Sequence, residues 1–183
     1  RMKPGLKNVE IDRSNPVPEP PFLGLRHVTG IDPALLFPYV NEQALFRGRW
    51  GYRRASGTTA EQYQQLVSET VQPLYQDLQQ RSLTEGLLQP KVAYGYFHCF
   101  SEGNALHVED DGKTLTFEFP RQELPPHLCI ADYYRSRDEG GDIAAFFVVT
   151  IGDKIAEETR RLFETDSYHD YLMLHGFSVE VTD

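Results

Sequence analysis

The stretch Lys91-Val-Ala-Tyr-Gly-Tyr-Phe-His-Cys-Phe100, continued by Ser101 to Val108, limits the choice of fold more than any other part of the chain. Side chains alternate along an extended strand, so Val92, Tyr94, Tyr96, His98 and Phe100 share one side and Ala93, Gly95, Phe97 and Cys99 the other. Both sides are largely apolar or aromatic, which predicts a strand inside a sheet covered on both faces. Glu102-Gly103-Asn104 is a turn signal into Ala105-Leu-His-Val-Glu109, and Asp110-Asp-Gly-Lys113 is a second turn, with Gly112 suited to a positive φ. Thr114 to Phe119 then alternates Thr114/Thr116/Glu118 against Leu115/Phe117/Phe119. An antiparallel meander is the expectation for the middle of the chain.

Helical patterns lie on either side of it. Asp32-Pro33 predicts a capped short helix through Leu35, Leu36 and Tyr39, and Asn41 can cap another carrying Leu45 and Phe46. Thr58 or Thr59, with Glu61 behind it, opens the longest helical pattern, in which Tyr63, Leu66, Val67, Thr70, Val71, Leu74 and Leu78 form a face to lay on the sheet. Pro73 should kink that helix and Gly86 end it. Leu128 to Tyr134 reads as a strand, and Ile143 to Ile151 as a central strand rich in β-branched and aromatic residues. Gly152-Asp153 begins a helix with Ile155, Ala156, Thr159, Leu162 and Phe163 on one face, and Tyr168 opens another with Tyr171, Leu174, His175 and Val179. No capping signal follows it, so the expectation is a piece of a longer chain. Residues 1–21, with Pro4, Pro16, Pro18, Pro20 and Pro21, predict a linker or an arm, and residues 22–183 a single α+β domain.

Composition narrows the function classes. A chain of 183 residues with 40% apolar and 25% charged residues can bury a sizeable core. No run approaches a membrane span, and a formal charge of −9 argues against nucleic acid. Basic residues are scattered apart from Arg47/Arg49/Arg53/Arg54 and Arg135/Arg137. Cys99 and Cys129 fall in predicted buried strands and read as inert core thiols of a reducing compartment. Without a secretory signal at Arg1-Met-Lys-Pro, the cytoplasm is the expected location.

Signals for chemistry are weak. His98 and Cys99 point to opposite faces, His107 lies in the next strand, and no H-x-x-x-H or C-x-x-C spacing supports a metal. Glu157-Glu158 beside Arg160-Arg161 is a solvated helix face. Ser101 and Cys99 lack the flanks of a nucleophile elbow, and the glycines fit no phosphate-loop spacing. Tyr94, Tyr96, Phe97, Phe100, Tyr133, Tyr134, Phe146 and Phe147 could wall a planar ligand, but they read first as core.

Pro18-Glu-Pro-Pro-Phe-Leu-Gly24, Leu36-Phe-Pro-Tyr-Val-Asn41 with Gln43-Ala-Leu-Phe46, Val92-Ala-Tyr-Gly-Tyr-Phe97, Leu128-Cys-Ile-Ala-Asp132, Phe146-Phe-Val-Val-Thr150 and His169-Asp-Tyr171 occur in an ordered series. In that order the chain resembles the activation domain of cobalamin-dependent methionine synthases. The resemblance implies a helmet-shaped α+β fold with a twisted antiparallel sheet flanked by helices. It also implies a methyltransferase module that binds S-adenosylmethionine and supports reductive methylation of cob(II)alamin. Its partners would be the cobalamin-binding domain and a flavodoxin-like electron donor, with zinc held only by another module. At the family's ligand-contacting Asp this chain has Asn41, which lacks the carboxylate charge and doubles as a helix cap. The family's Arg-x-x-x-Gly-Tyr-Pro-Ala-Cys-Pro motif does not occur here, so weak or no methyl-donor binding by this piece is expected. The competing expectation is a non-enzymatic module that docks on a cobalamin domain or a flavoprotein.

Overall fold

The computed structural model describes residues 11–183. Among the described residues five strands, β1 (Gly24–Val28), β2 (Lys91–Glu102), β3 (Ala105–Asp110), β4 (Lys113–Glu118) and β5 (Asp142–Thr150), form one sheet. The long β2 is its hub and pairs with β1, β3 and β5, while β4 pairs with β3. The expected meander is present: His98 to Glu102 run antiparallel to Glu109 to Ala105, and Ala105 to Asp110 antiparallel to Glu118 to Lys113. Gly103 (φ 60°) and Gly112 (φ 74°) sit at the two turns, where a side chain would be strained. Leu106 and Val108, one pleat face of β3, meet Cys99 and Ala144 in a small core, with Phe97, Phe119 and Tyr134 packed against it.

Coverage of the sheet differs from expectation. In β2 only Gly95 and Cys99 are buried, and among the described residues β5 pairs with β2 alone, with Phe147 75% and Val148 71% exposed. An unbroken apolar run therefore marks β5 as a strand but not as a central one, because hydrophobicity along the chain does not count the neighbours across it. Leu128–Tyr134 is not a strand. The segment turns into a 3-10 helix at Ile130–Tyr133 because Asp132 accepts a hydrogen bond from Cys129 N–H (2.8 Å) and is itself clamped by Arg121. Such a local side-chain bond competes with a ladder. Cys129 is buried, as expected, but in this turn.

The described residues divide into two compact units: residues 11–26 with 93–147, and residues 27–92 with 148–183. In the first unit, Arg135 donates to the Arg13 and Asn15 carbonyls and Arg13 pairs with Glu139, which ties residues 13–15 to residues 135–139. Residues 1–10 of the expected linker lie outside the described residues.

The second unit is built on helices α1 (Ala60–Leu66), α2 (Gln72–Thr84), α3 (Asp153–Glu164) and α4 (Tyr168–Thr182). Thr59 caps α1 in a reciprocal box, its hydroxyl accepting from Gln62 N–H and its own N–H donating to Gln62. The long helical pattern is not continuous. Val67–Val71 forms a π turn just before Pro73, whose missing N–H cannot enter an α ladder. Gly86 (φ 61°) follows the C-cap of α2 as expected. Val71, Tyr75 and Leu78 pack against Leu45, Phe46, Trp50, Met173, Leu174 and Phe177 in one cluster, so the apolar faces meet other helices instead of lying on strands. In α3, Ile155 and Leu162 are buried while Phe163 is 58% exposed. Along α4 the buried set is Met173, Leu174, Gly176, Phe177, Ser178 and Glu180, with His175 exposed, which rotates the inner face from the one expected.

Candidate functional site

Asn41 sits where extended backbone gives way to helix. Val40 is extended, and Asn41 Oδ1 accepts from Ala44 N–H (3.1 Å), which makes the capping role concrete. Ala44–Arg49 then winds as a π turn, and Trp50 N–H reaches back to the Leu45 carbonyl. Buried Leu45 and Phe46 anchor this turn, and Trp50 Nε1 donates to the Met173 carbonyl (2.9 Å), so the exposed side of the turn is fixed from beneath. Gly51 (φ 77°) reverses the chain and leads to Arg53 and Arg54.

An open cavity of about 1100 Å³ lies beside Asn41, walled by both π turns, Ala44–Arg49 and Val67–Val71, and by the start of α1. π turns displace backbone out of the α ladder and recur at functional sites. Phe46, Tyr63 and Val67 give the cavity an apolar part, and Glu42, Arg47, Arg53 and Arg54 its charge. Arg47 Nε donates to Tyr63 Oη (3.2 Å), which in turn donates to the Tyr52 carbonyl (2.8 Å), and the Arg47 guanidinium lies 5.3 Å from the Tyr63 ring centre. Arg53 Nε donates to the Arg47 carbonyl (2.9 Å) and Arg54 Nε to the Thr58 carbonyl (2.7 Å). Sequence reasoning noticed these arginines only as a basic group and missed that they surround a cavity. The signal was there in Gly51 between Arg47 and Arg53.

The other charged and aromatic groups weighed in the sequence do not come together into a site. Arg49 turns away from the cavity to Glu180 and Asp183, and Arg137 pairs with Glu109 and covers the Phe100 ring at 3.9 Å. Glu158 and Arg161 pair with each other on an exposed helix face. His107 stacks on Phe100 with ring centres 4.8 Å apart. The strand aromatics are split: Phe97, Phe117 and Phe146 form one group, whereas Phe147 and Tyr133 face water. Among the described residues no group of three His, Cys, Asp or Glu side chains converges on a point, and no described helix is long and apolar enough to cross a membrane.

Cys99 is a structural thiol. Burial, helped by the nearby Asp142 carboxylate, pushes it up to about 12 from an ordinary value near 9. A group whose value is raised on folding holds its proton more tightly in the folded chain. Its contribution is complete below pH 9 and disappears as pH rises towards 12. Denaturant midpoints should therefore fall across that interval, and Cys99→Ala should flatten the pH 9–10 part of the curve; an unchanged slope would show that the thiol is not protected by folding.

The family described as "Vitamin B12 dependent methionine synthase, activation domain" matches residues 35–176, which include the whole cavity wall. The chain belongs to this family. The activation-domain assignment is supported by relatives named methionine synthase. That of Mycobacterium tuberculosis is 39% identical and that of Mycobacterium leprae 38%, each over 178 residues covering 91% of this chain. The chain spans 15% of the length of those relatives. The solved structure "Crystal Structure of the MetH Reactivation Domain bound to AdoHcy" superposes with a TM-score of 0.68 at 19% identity, over 87% of this chain and 51% of that one. That likeness fixes the α+β activation-domain fold, in agreement with the ordered motifs. Membership favours an activation domain over a free-standing interaction module.

Proposed function

We propose that this activation domain works within a larger cobalamin-dependent methionine synthase of the cytoplasm, where it supports the reductive methylation of cob(II)alamin by S-adenosylmethionine. Its partners in that role are the cobalamin-bearing domain of the same enzyme and a flavodoxin-like electron donor, and it has none with nucleic acid or a membrane. The observation that carries the proposal is the family match across residues 35–176, joined to the shared fold. S-adenosylmethionine supplies a methyl group on a sulfonium leaving group, so the protein is asked for positioning and exclusion of water more than for an acid or base.

The residues beside Asn41 fit that methyl donor poorly. Asn41 Oδ1 is already engaged by Ala44 N–H, and the cavity wall carries three guanidiniums against the single carboxylate of Glu42, the wrong balance for a sulfonium and an ammonium. No catalytic residue is assigned, and Asn41 is proposed first as a cap and only second as a contact to the methyl donor. This chain alone should accordingly bind S-adenosylmethionine weakly or not at all and be inactive as a methyltransferase. Calorimetric titration tests this: a Kd tighter than about 1 μM would overturn it. A longer chain containing the Arg-x-x-x-Gly-Tyr-Pro segment should bind in the same titration, and failure of that chain to do so would count against the reactivation role itself.

A further inference from the structure

We propose that Arg47, Arg53 and Arg54, on the wall of the cavity beside Asn41, form a binding site for a small phosphate-bearing molecule. The first support is how the guanidiniums are held. Each uses its Nε on a neutral oxygen, Tyr63 Oη for Arg47, the Arg47 carbonyl for Arg53 and the Thr58 carbonyl for Arg54. Among the described residues none of the three is ion-paired with a carboxylate, unlike Arg13, Arg49, Arg81, Arg121, Arg137 and Arg161. Their terminal nitrogens remain free for a bidentate oxyanion, the geometry for which arginine is suited.

Charge balance then selects the class of anion. Three guanidiniums and the Glu42 carboxylate leave a surplus of two positive charges on the cavity wall, in a chain whose formal charge is −9. A phosphate monoester carries about −1.5 to −2 near neutral pH and matches that surplus, whereas one carboxylate leaves half of it uncompensated. Shape favours a small molecule over a protein surface. The site is concave, and its volume of about 1100 Å³ is at the upper end of small-molecule pockets, with Phe46, Tyr63 and Val67 available to an apolar or planar part of the ligand. Both π turns border it, so the backbone on two sides of the cavity departs from the ordinary helical path.

Phenyl phosphate is a suitable probe, titrated calorimetrically into the 183-residue chain beside inorganic phosphate and citrate at matched ionic strength. Saturable binding of phenyl phosphate, tighter than that of inorganic phosphate, is the expected result. Arg47→Gln, Arg53→Gln and Arg54→Gln should each weaken it about tenfold, the scale of one charged hydrogen bond, and the triple variant should lose it. Arg81→Gln, on α2 and paired with Glu85, should leave it unchanged. Circular dichroism checks that the variants are folded; should the triple variant unfold, the single Arg→Lys variants carry the test, since they keep the charge and lose the fork. No saturation with phenyl phosphate, undiminished binding in the folded variants, or binding of citrate alone would overturn the proposal. So would association limited to polyglutamate and abolished by moderate salt, which would mark the arginines as a docking face for an acidic protein.

Discussion

Replacing Phe177 with alanine should lower the stability of the helical unit by about 3–5 kcal/mol, the largest effect expected of any single substitution in it. Phe177 is fully buried on α4, with ring centres 6.0 Å from Phe37 and 5.9 Å from Tyr75, so truncation removes two aromatic contacts as well as apolar area. Its neighbours Leu45, Leu174 and Val71 are themselves wholly buried and belong to three different segments, which leaves little freedom to collapse into the gap. Domains are commonly stable by only about 5–15 kcal/mol, so the variant should sit near the edge of folding at physiological temperature. Phe177→Leu, which keeps most of the volume, should cost about half as much or less. Trp50 is the only tryptophan of the chain and lies in the same cluster, so its fluorescence in a urea titration reads the effect directly. A midpoint within error of the parent would show that the cluster is not the core of this unit.

How far the residues announce this architecture varies from segment to segment, for physical reasons. The meander was legible because two independent signals agree there, a period of two in side-chain character and glycines at both turns. Asn41, and a cap at Thr58 or Thr59, were legible because capping needs only neighbours in sequence; the structure selects Thr59. The 3-10 turn at Ile130–Tyr133 was not, since its composition is that of a strand and the decision lies with Asp132, held from eleven residues away by Arg121. Burial was misread on β5 because apolar character constrains a strand to be extended but leaves open which of its faces is covered. The π turns carry no periodic signature of their own, and the arginine-lined cavity depends on them. Asn41 was singled out by resemblance, but the three guanidiniums that decide the sign of the cavity's potential were legible only as a cluster of letters.

Arg49→Met should cost about 2–3 kcal/mol although it deletes a side chain that is one-third exposed. Glu180 is the reason. Its carboxylate, 7% exposed near the end of α4, accepts from Arg49 Nε at 2.6 Å, and Arg49 also pairs with Asp183, so one guanidinium compensates two carboxylates. Removing the arginine leaves a buried negative charge with no cation, and that desolvation penalty, not the lost attraction, dominates the change. The value stays below the 3–5 kcal/mol of a wholly enclosed pair because water reaches Arg49 and already screens it. The double variant Arg49→Met with Glu180→Gln should therefore be more stable than Arg49→Met alone, since the uncompensated charge is gone and only a neutral amide remains to be solvated. Urea midpoints of the parent, the two single variants and the double variant form a complete cycle. Additive effects would mean that the two side chains do not interact in solution, and a double variant no more stable than Arg49→Met would mean that Glu180 is not the group being compensated.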